Sequence, residues 1–244
     1  MGRLTQKEKM ELKKMGVINQ KQEEFYVIRF LSSVGYFKAD DIINLANISK
    51  KYGNGEISLT SRLTIEIPYI KEDDIYKVVS EAEKLNLKIG GAGNTVRAVV
   101  TCKGSVCKHG LIDTRRIGEI LEKKFLAIKV PAKFKIGVFG CINSYGKAQS
   151  NDFAILPTIN IKNKEVEFLV FIGGRAGRKA RKAEPMNRKF KEDELISLVE
   201  ATIESYIELA NGKERLAEII ERIGENKFEE YLIQKFNNKV KVEC

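Results

Sequence analysis

The sequence predicts an α+β fold built in two successive parts, and three observations predict it. Strand-like and helix-like periodicities alternate over residues 23–91. A glycine cluster, GGAGN at residues 90–94, then interrupts the pattern. Beyond it a second set of strands gives way to a helical stretch from about residue 191 onward.

Each element has its own signal. Residues 1–20 are polar and read as a helix with a loose docking role. EEFYVIRFLS alternates apolar and polar residues and predicts a strand. ADDIINLANISKKYG carries apolar residues at helical spacing, acidic residues early and a glycine stop at Gly53, so it predicts a helix. GEISLTS and RLTIEIP alternate at period two and predict two strands. KEDDIYKVVSEAEKLN predicts a second helix, and LKIGG a short closing strand. The order β-α-β-β-α-β is that of the ferredoxin-like split unit. The predicted domains are therefore 1–90 and, from the glycine cluster on, 91–244. In the second, TVRAVVT, KFKIGVFG and EVEFLVFIGG predict strands, and DTRRIGEILEKKFL predicts a helix with Asp113 near its start. A basic loop, RAGRKARKAEPMNRK, precedes two helical stretches, EDELISLVEATIESYIELANG and KERLAEIIERIGENKFEEYLIQKF.

Composition narrows the class. A chain of 244 residues with 43% hydrophobic and 31% charged residues can bury a full core and reads as a globular protein. No apolar run approaches the roughly 18 residues a membrane span needs, and the N-terminus lacks an apolar signal core, so the expectation is a cytoplasmic protein without membrane contact. Four unevenly spaced cysteines do not suggest a secreted disulfide scaffold. The net charge of +10 favours an anionic partner: nucleic acid, an acidic protein, or a polyanionic cofactor or substrate. Aromatic residues are not interleaved with the basic loop, and a nucleic-acid module would leave the cysteines unexplained, so no nucleic acid is expected.

The cysteines and cations carry the chemical signal. Cys102 and Cys107 form a C-x4-C pair, and Cys141 follows 34 positions later. Gly104 and Gly140 lie beside them, and small residues let backbone amides approach sulfur, as a thiolate-ligated cluster requires. Buried core thiols are the alternative. A zinc site is less apt because no second pair or histidine follows at finger-like distance, and the lone His109 reads as a loop residue. Lys133 and Lys135 have the i, i+2 spacing that sends both side chains to one face of a strand. Two cations on one face call for an anion or for solvent; an exposed edge guarded by lysine is the other reading. Between Gly173 and Lys189, seven cations including Arg175 and Arg178 face one acid, Glu184. Such a run suits several carboxylates or phosphates, or plain solvation.

Four segments in order, LTSRLTIEIP, NTVRAVVTCKGSVCKHGLIDT, VPAKFKIGVFGCINSYGKAQSND and FIGGRAGR, resemble the sirohaem- and iron–sulfur-containing nitrite and sulfite reductases. The resemblance implies a ferredoxin-like domain followed by a larger α+β reductase-type domain. In the family two such halves pack about a pseudo-two-fold axis; this chain looks like one half, which implies a homodimer. It implies that Cys102, Cys107 and Cys141 hold a 4Fe-4S cluster. Arg62, Arg97, Lys133 and Lys135 match cations that bind the oxyanion, sulfite or nitrite. Arg175 and Arg178 match a segment that holds sirohaem carboxylates. Electrons would come from a low-potential donor such as ferredoxin. Tyr145 stands where the family has the cysteine that bridges cluster and sirohaem iron. A phenolate can ligate haem iron, so Tyr145 is a candidate ligand. The alternatives are a fourth ligand from solvent, another side chain or Cys244, or a non-catalytic tetrapyrrole or iron–sulfur carrier.

Overall fold

The structure, a computed structural model, describes residues 4–145 and 147–243, with no side-chain detail beyond 240. It is α+β, with two sheets and separate hydrophobic cores.

The first unit opens with helix α1 (Gln6–Lys14) and runs through β1 (Val17–Asn19), β2 (Phe25–Phe30), α2 (Ala39–Tyr52), β3 (Ser58–Leu59), β4 (Ile65–Lys71) and α3 (Ile75–Lys84). Its antiparallel sheet has the order β1-β2-β4-β3. Alternation along β2 buries Tyr26, Ile28 and Phe30, which meet Ile65, Ile67 and Ile70 of β4, Leu45 and Ile48 of α2 and Val78 of α3. Gly53 ends α2 as its C-cap residue. Two elements differ from the sequence reading. A short β1 follows the first helix, and LKIGG forms only one bridge, Ile89 to Phe30. The two observations are linked. β1 occupies the edge of β2, leaving its end, where Leu31 N–H donates to Lys88 O at 2.8 Å and Gly90 N–H to Arg29 O at 3.1 Å.

The second unit contains β5 (Val100–Thr101), α4 (Thr114–Phe125), β6 (Ile136–Val138), β7 (Phe153–Ile159), β8 (Val166–Ile172), α5 (Leu195–Leu209), α6 (Leu216–Ile223) and α7 (Glu225–Glu243). β5, β6 and β7 are parallel, and β8 returns antiparallel to β7. Helix α4 makes the crossover from β5 to β6 that parallel pairing requires. Its Ile117, Leu121 and Phe125 share a core with Ile136 and Val138 of β6, Phe153 and Ile155 of β7 and apolar residues of the three C-terminal helices. Gly224, at φ +92°, separates α6 from α7 inside the second predicted helical stretch. Strand β7 has no counterpart in the sequence reading. Pro157 breaks its pattern, yet β6 pairs only as far as Ile155, so the proline sits where the β6 side of the ladder has ended.

Asp113 caps α4, accepting from the backbone N–H of Arg115 and Arg116 at 3.1 Å each. Gly118 lets the helix lie close to β5: a Cβ there would stand 2.5 Å from Thr101 Cγ2. Asp113→Ala should lower stability by about 1 kcal/mol through loss of the cap. Urea denaturation checks this, and an unchanged midpoint would count against the cap's contribution.

Candidate active site

Strand alternation and parallel pairing build the centre of the site. Val96 bridges Phe134, and Arg97 N–H donates to Phe134 O at 2.8 Å. Val96 and Phe134 are buried in the core, so alternation sends Arg97, Lys133 and Lys135 to the other side. Lys133 and Lys135 precede the regular part of β6 but keep its alternation. Arg62 arrives from the first unit, out of the turn before β4. Its guanidinium donates to Ala98 O at 2.5 Å, Ile136 O at 3.2 Å and Asn151 Oδ1 at 3.3 Å, tying one unit to the strands of the other.

The glycine cluster holds the remaining arginine. Arg97 donates to Gly91 O, and to Gly93 O at 2.7 Å. Gly91 and Gly93 have φ of +72° and +76°, a conformation that disfavours any side chain. Gly91 O also accepts from Arg29 at 2.7 Å, and Arg29 pairs with Glu66 at 2.6 Å. The hydrogen bonds of Arg62 and Arg97 therefore go to carbonyl and amide oxygens and to no carboxylate. Among the described residues the Nε atoms of Arg62, Arg97 and Arg215 are buried without a hydrogen-bond partner.

The electrostatics follow from this packing. Burial pushes Arg62 and Arg97 down to about 10, and Arg29 pushes both the same way. Burial, then the fields of Arg215 and Arg97, lowers Lys133 below the usual lysine range. Burial lowers Lys135 too, with Arg62 adding to it. The fully buried Asp152 is pushed up by burial and back down by Arg215, which donates to both its oxygens at 2.9 and 3.0 Å. The four cations picked out in the sequence thus share one field, joined by Arg29 and Arg215. Of these two, Arg29 left a trace in the sequence as the lone charge inside a strand segment. Arg215 is one of many charges on a helical stretch, and Asp152 stands in a polar run; neither has a local signal.

The cysteines lie at the ends of neighbouring parallel strands. Cys102 follows β5 and Cys141 follows β6. Gly140 N–H donates to Cys102 Sγ at 3.1 Å, and Thr114 Oγ1 donates to Cys102 O at 2.8 Å. Leu111 N–H donates to Gly140 O at 2.8 Å, tying the loop of Cys107 to that of Cys141. A Cβ on Gly140 would lie 2.8 Å from Gly104 Cα, so the two loops meet only because both residues are glycine. Cys107 is exposed and the other two half-buried. Among the described residues no three His, Cys, Asp or Glu side chains stand close enough to hold a single metal ion. A cubane cluster is larger and needs its thiolates spread further apart, so the two-loop arrangement, with an amide already directed at one sulfur, is compatible with one. Tyr145 is 93% exposed, and no hydrogen bond or ring contact holds it among the described residues. His109 is exposed, and Cys244 lies outside the described residues.

In the basic loop Arg175 is buried, donating to Lys179 O and pairing with Glu218 at 3.2 Å and Glu221 at 3.3 Å, both on α6. Arg181 pairs with Glu225. Arg178 and Lys179 are exposed.

Comparison with known proteins gives a consistent picture. The family model for the nitrite and sulphite reductase 4Fe-4S domain matches residues 92–240, and that for the nitrite/sulfite reductase ferredoxin-like half domain matches residues 18–85. The chain is 27% identical over 268 aligned positions to the coenzyme F420-dependent sulfite reductase of Methanocaldococcus jannaschii, covering 87% of this chain and 43% of that one. It is 25% identical over 211 positions to the assimilatory-type sulfite reductase of Nitratidesulfovibrio vulgaris, covering 86% and 93%. Its fold is similar to that of the NirA protein of Mycobacterium tuberculosis, with a TM-score of 0.84 at 14% identity, over 96% of this chain and 48% of the other. The chain thus spans less than half the length of the first and third of these proteins.

The half-buried cations Arg62, Arg97, Lys133 and Lys135 repel one another and Asp152 offsets them only in part, so an entering anion should stabilise the cluster. Sulfite, at about a hundredfold excess over its Kd, should therefore stabilise the protein by about 2.7 kcal/mol. Thermal melting at constant ionic strength reads this directly. Equal melting temperatures in sulfite and in chloride would show that the pocket takes no oxyanion.

Proposed function

The chain belongs to the nitrite and sulphite reductase family, and from that premise we propose that it reduces a small oxyanion, sulfite or nitrite, with electrons passed through a 4Fe-4S cluster to sirohaem. The observation that carries the reading is the pair of guanidiniums, Arg62 and Arg97, which among the described residues donate to backbone carbonyls and the Asn151 side-chain oxygen and to no carboxylate, with Lys133 and Lys135 beside them.

In this reading Arg62 and Arg97 keep the pocket positive, and Lys133 and Lys135 bind the substrate oxygens. Charge that builds on those oxygens is met by fixed donors in a water-poor site, where such donors act most strongly. The oxygens leave as water, so protons must be supplied; a lysine whose pKa burial has lowered gives one up more readily. Cys102, Cys107 and Cys141 hold the cluster, with the Gly140 N–H donating to sulfur. Tyr145 would ligate the haem iron, or the cluster would take a fourth ligand from solvent, another side chain or Cys244. Arg175 and Arg178 hold sirohaem carboxylates; Arg178 is exposed and ready, whereas Arg175 exchanges Glu218 and Glu221 for the cofactor. When bound, the two groups supply a site for iron coordination and a store of low-potential electrons. A ferredoxin-like donor, assembly as a homodimer and a cytoplasmic location complete the proposal. It is consistent with them that no helix among the described residues is long and apolar enough to cross a membrane.

One observation favours a second reading. The family's bridging cysteine is replaced by Tyr145, 93% exposed, which suits a tetrapyrrole or iron–sulfur carrier without turnover.

Three experiments test these assignments. Lys133→Ala should weaken sulfite or nitrite binding by roughly 1–3 kcal/mol, the scale of a lost charged hydrogen bond. Isothermal titration gives the value, and unchanged affinity removes the lysine from the site. Anaerobic reconstitution should load iron and acid-labile sulfide that a triple Cys102, Cys107 and Cys141→Ala variant does not retain. Tyr145→Cys should hold the cluster longer in air than the wild type. Iron content no higher than in the triple variant would exclude the cluster.

A further inference from the structure

Resting on the reading of the cation pocket as an oxyanion site, we propose that the Asp152–Arg215 ion pair is a positioning device for Lys135: it fixes the backbone from which the lysine projects and balances the charge with which the lysine meets the anion.

The backbone half of the argument is geometric. Lys135 stands just before β6 and Asp152 just before β7, on neighbouring parallel strands. Lys135 N–H donates to Asp152 Oδ2 at 2.9 Å, and Phe153 N–H donates to Lys135 O at 3.0 Å. Both backbone polar groups of Lys135 are thus held by two consecutive residues. Asp152 has no solvent exposure, so its carboxylate needs a buried partner. Arg215, the N-cap residue of α6, supplies it by donating from Nη2 to both oxygens, and its own N–H donates to Glu218 at 2.9 Å. The lysine is therefore held by a chain of contacts from β6 through Asp152 to the start of α6.

The charge half follows from the same geometry. Among the described residues the charged groups that act most on Lys135 are Arg62, Asp152, Lys133 and Arg215. Three are cations, and of these four only Asp152 favours the protonated lysine. Arg215 acts on Lys135 in the opposite sense, both directly and by neutralising Asp152. Members of an ion pair that only locked α6 to the sheet would be equivalent: losing either would loosen the same contact. Here they are not equivalent, since one raises and the other lowers the pH at which Lys135 loses its proton.

Sulfate is the probe, because its charge is constant through the alkaline range. Its binding should fall as pH rises through the Lys135 titration, and calorimetry at successive pH values locates that alkaline limb. Lys133, Arg62 and Arg97 also shape this limb, so Lys135→Met should remove only the share of one proton, and the proton removed assigns the part that belongs to Lys135. Asp152→Asn keeps an oxygen for the Lys135 N–H but loses the charge, so the limb should move down by about 1 pH unit. Arg215→Gln should move it up by about 1 pH unit. The double variant should return it close to the wild-type position. If Asp152→Asn does not fold, Arg215→Gln decides alone by an upward shift or its absence. Shifts of the same sign in both single variants, no shift, or a limb that Lys135→Met leaves unchanged overturns the inference while leaving the oxyanion reading standing. A wild-type protein that binds no sulfate at any pH overturns both.

Discussion

Half-buried positive charge that carboxylates match only in part is the constraint on which the rest of this structure depends. Arg62 crosses from the first unit to hydrogen-bond the carbonyls of Ala98 and Ile136 in the second. That contact positions the two units, and it does so with a charge that no acid neutralises directly. Leaving a guanidinium in such a place is costly unless the surrounding oxygens and an incoming anion compensate it. The glycine cluster at 90–94 contributes by presenting carbonyls to Arg97 and Arg29. What reads as a domain boundary in the sequence is therefore also part of the site.

The two functional regions differ in how far the protein alone completes them. The cation pocket is assembled by strand pairing, a glycine turn and the Asp152–Arg215 pair. The cysteine loops are open: Val106 and Ile142 are exposed beside the thiols, and Tyr145 is almost wholly so. Apolar side chains exposed around three cysteines are a cost that burial under a cofactor or partner would remove. Membership of the nitrite and sulphite reductase family gives that exposure a chemical context.

Much of this was legible in the sequence because it is local. Period-two alternation marked β2 and β4, Asp113 marked the start of α4, and Gly53 marked the end of α2. The glycines beside Cys102 and Cys141 pointed to close loop contact, and Gly104 and Gly140 do meet. The i, i+2 spacing of Lys133 and Lys135 survives although the regular strand begins only at Ile136. What was not legible is long-range. β1 is too short to show a period, and it displaced the expected closing strand from the edge of β2. Pro157 hid β7 because its tolerance depends on where β6 stops. Asp152 and Arg215 are 63 residues apart, and only tertiary packing makes them a pair. The basic loop reads as suited to carboxylates, phosphates or solvent, and only the fold shows that Arg175 and Arg181 pair with acids on the C-terminal helices.

The account's central claim is that the half-buried cations are completed by an oxyanion. A crystal structure of the cofactor-loaded protein soaked in sulfite tests it most directly. The account predicts an anion within hydrogen-bonding distance of Lys133 and Lys135, on the side of the strands that Arg62 and Arg97 share. An empty pocket at saturating sulfite, or an anion bound only along the basic loop between Gly173 and Lys189, would contradict it.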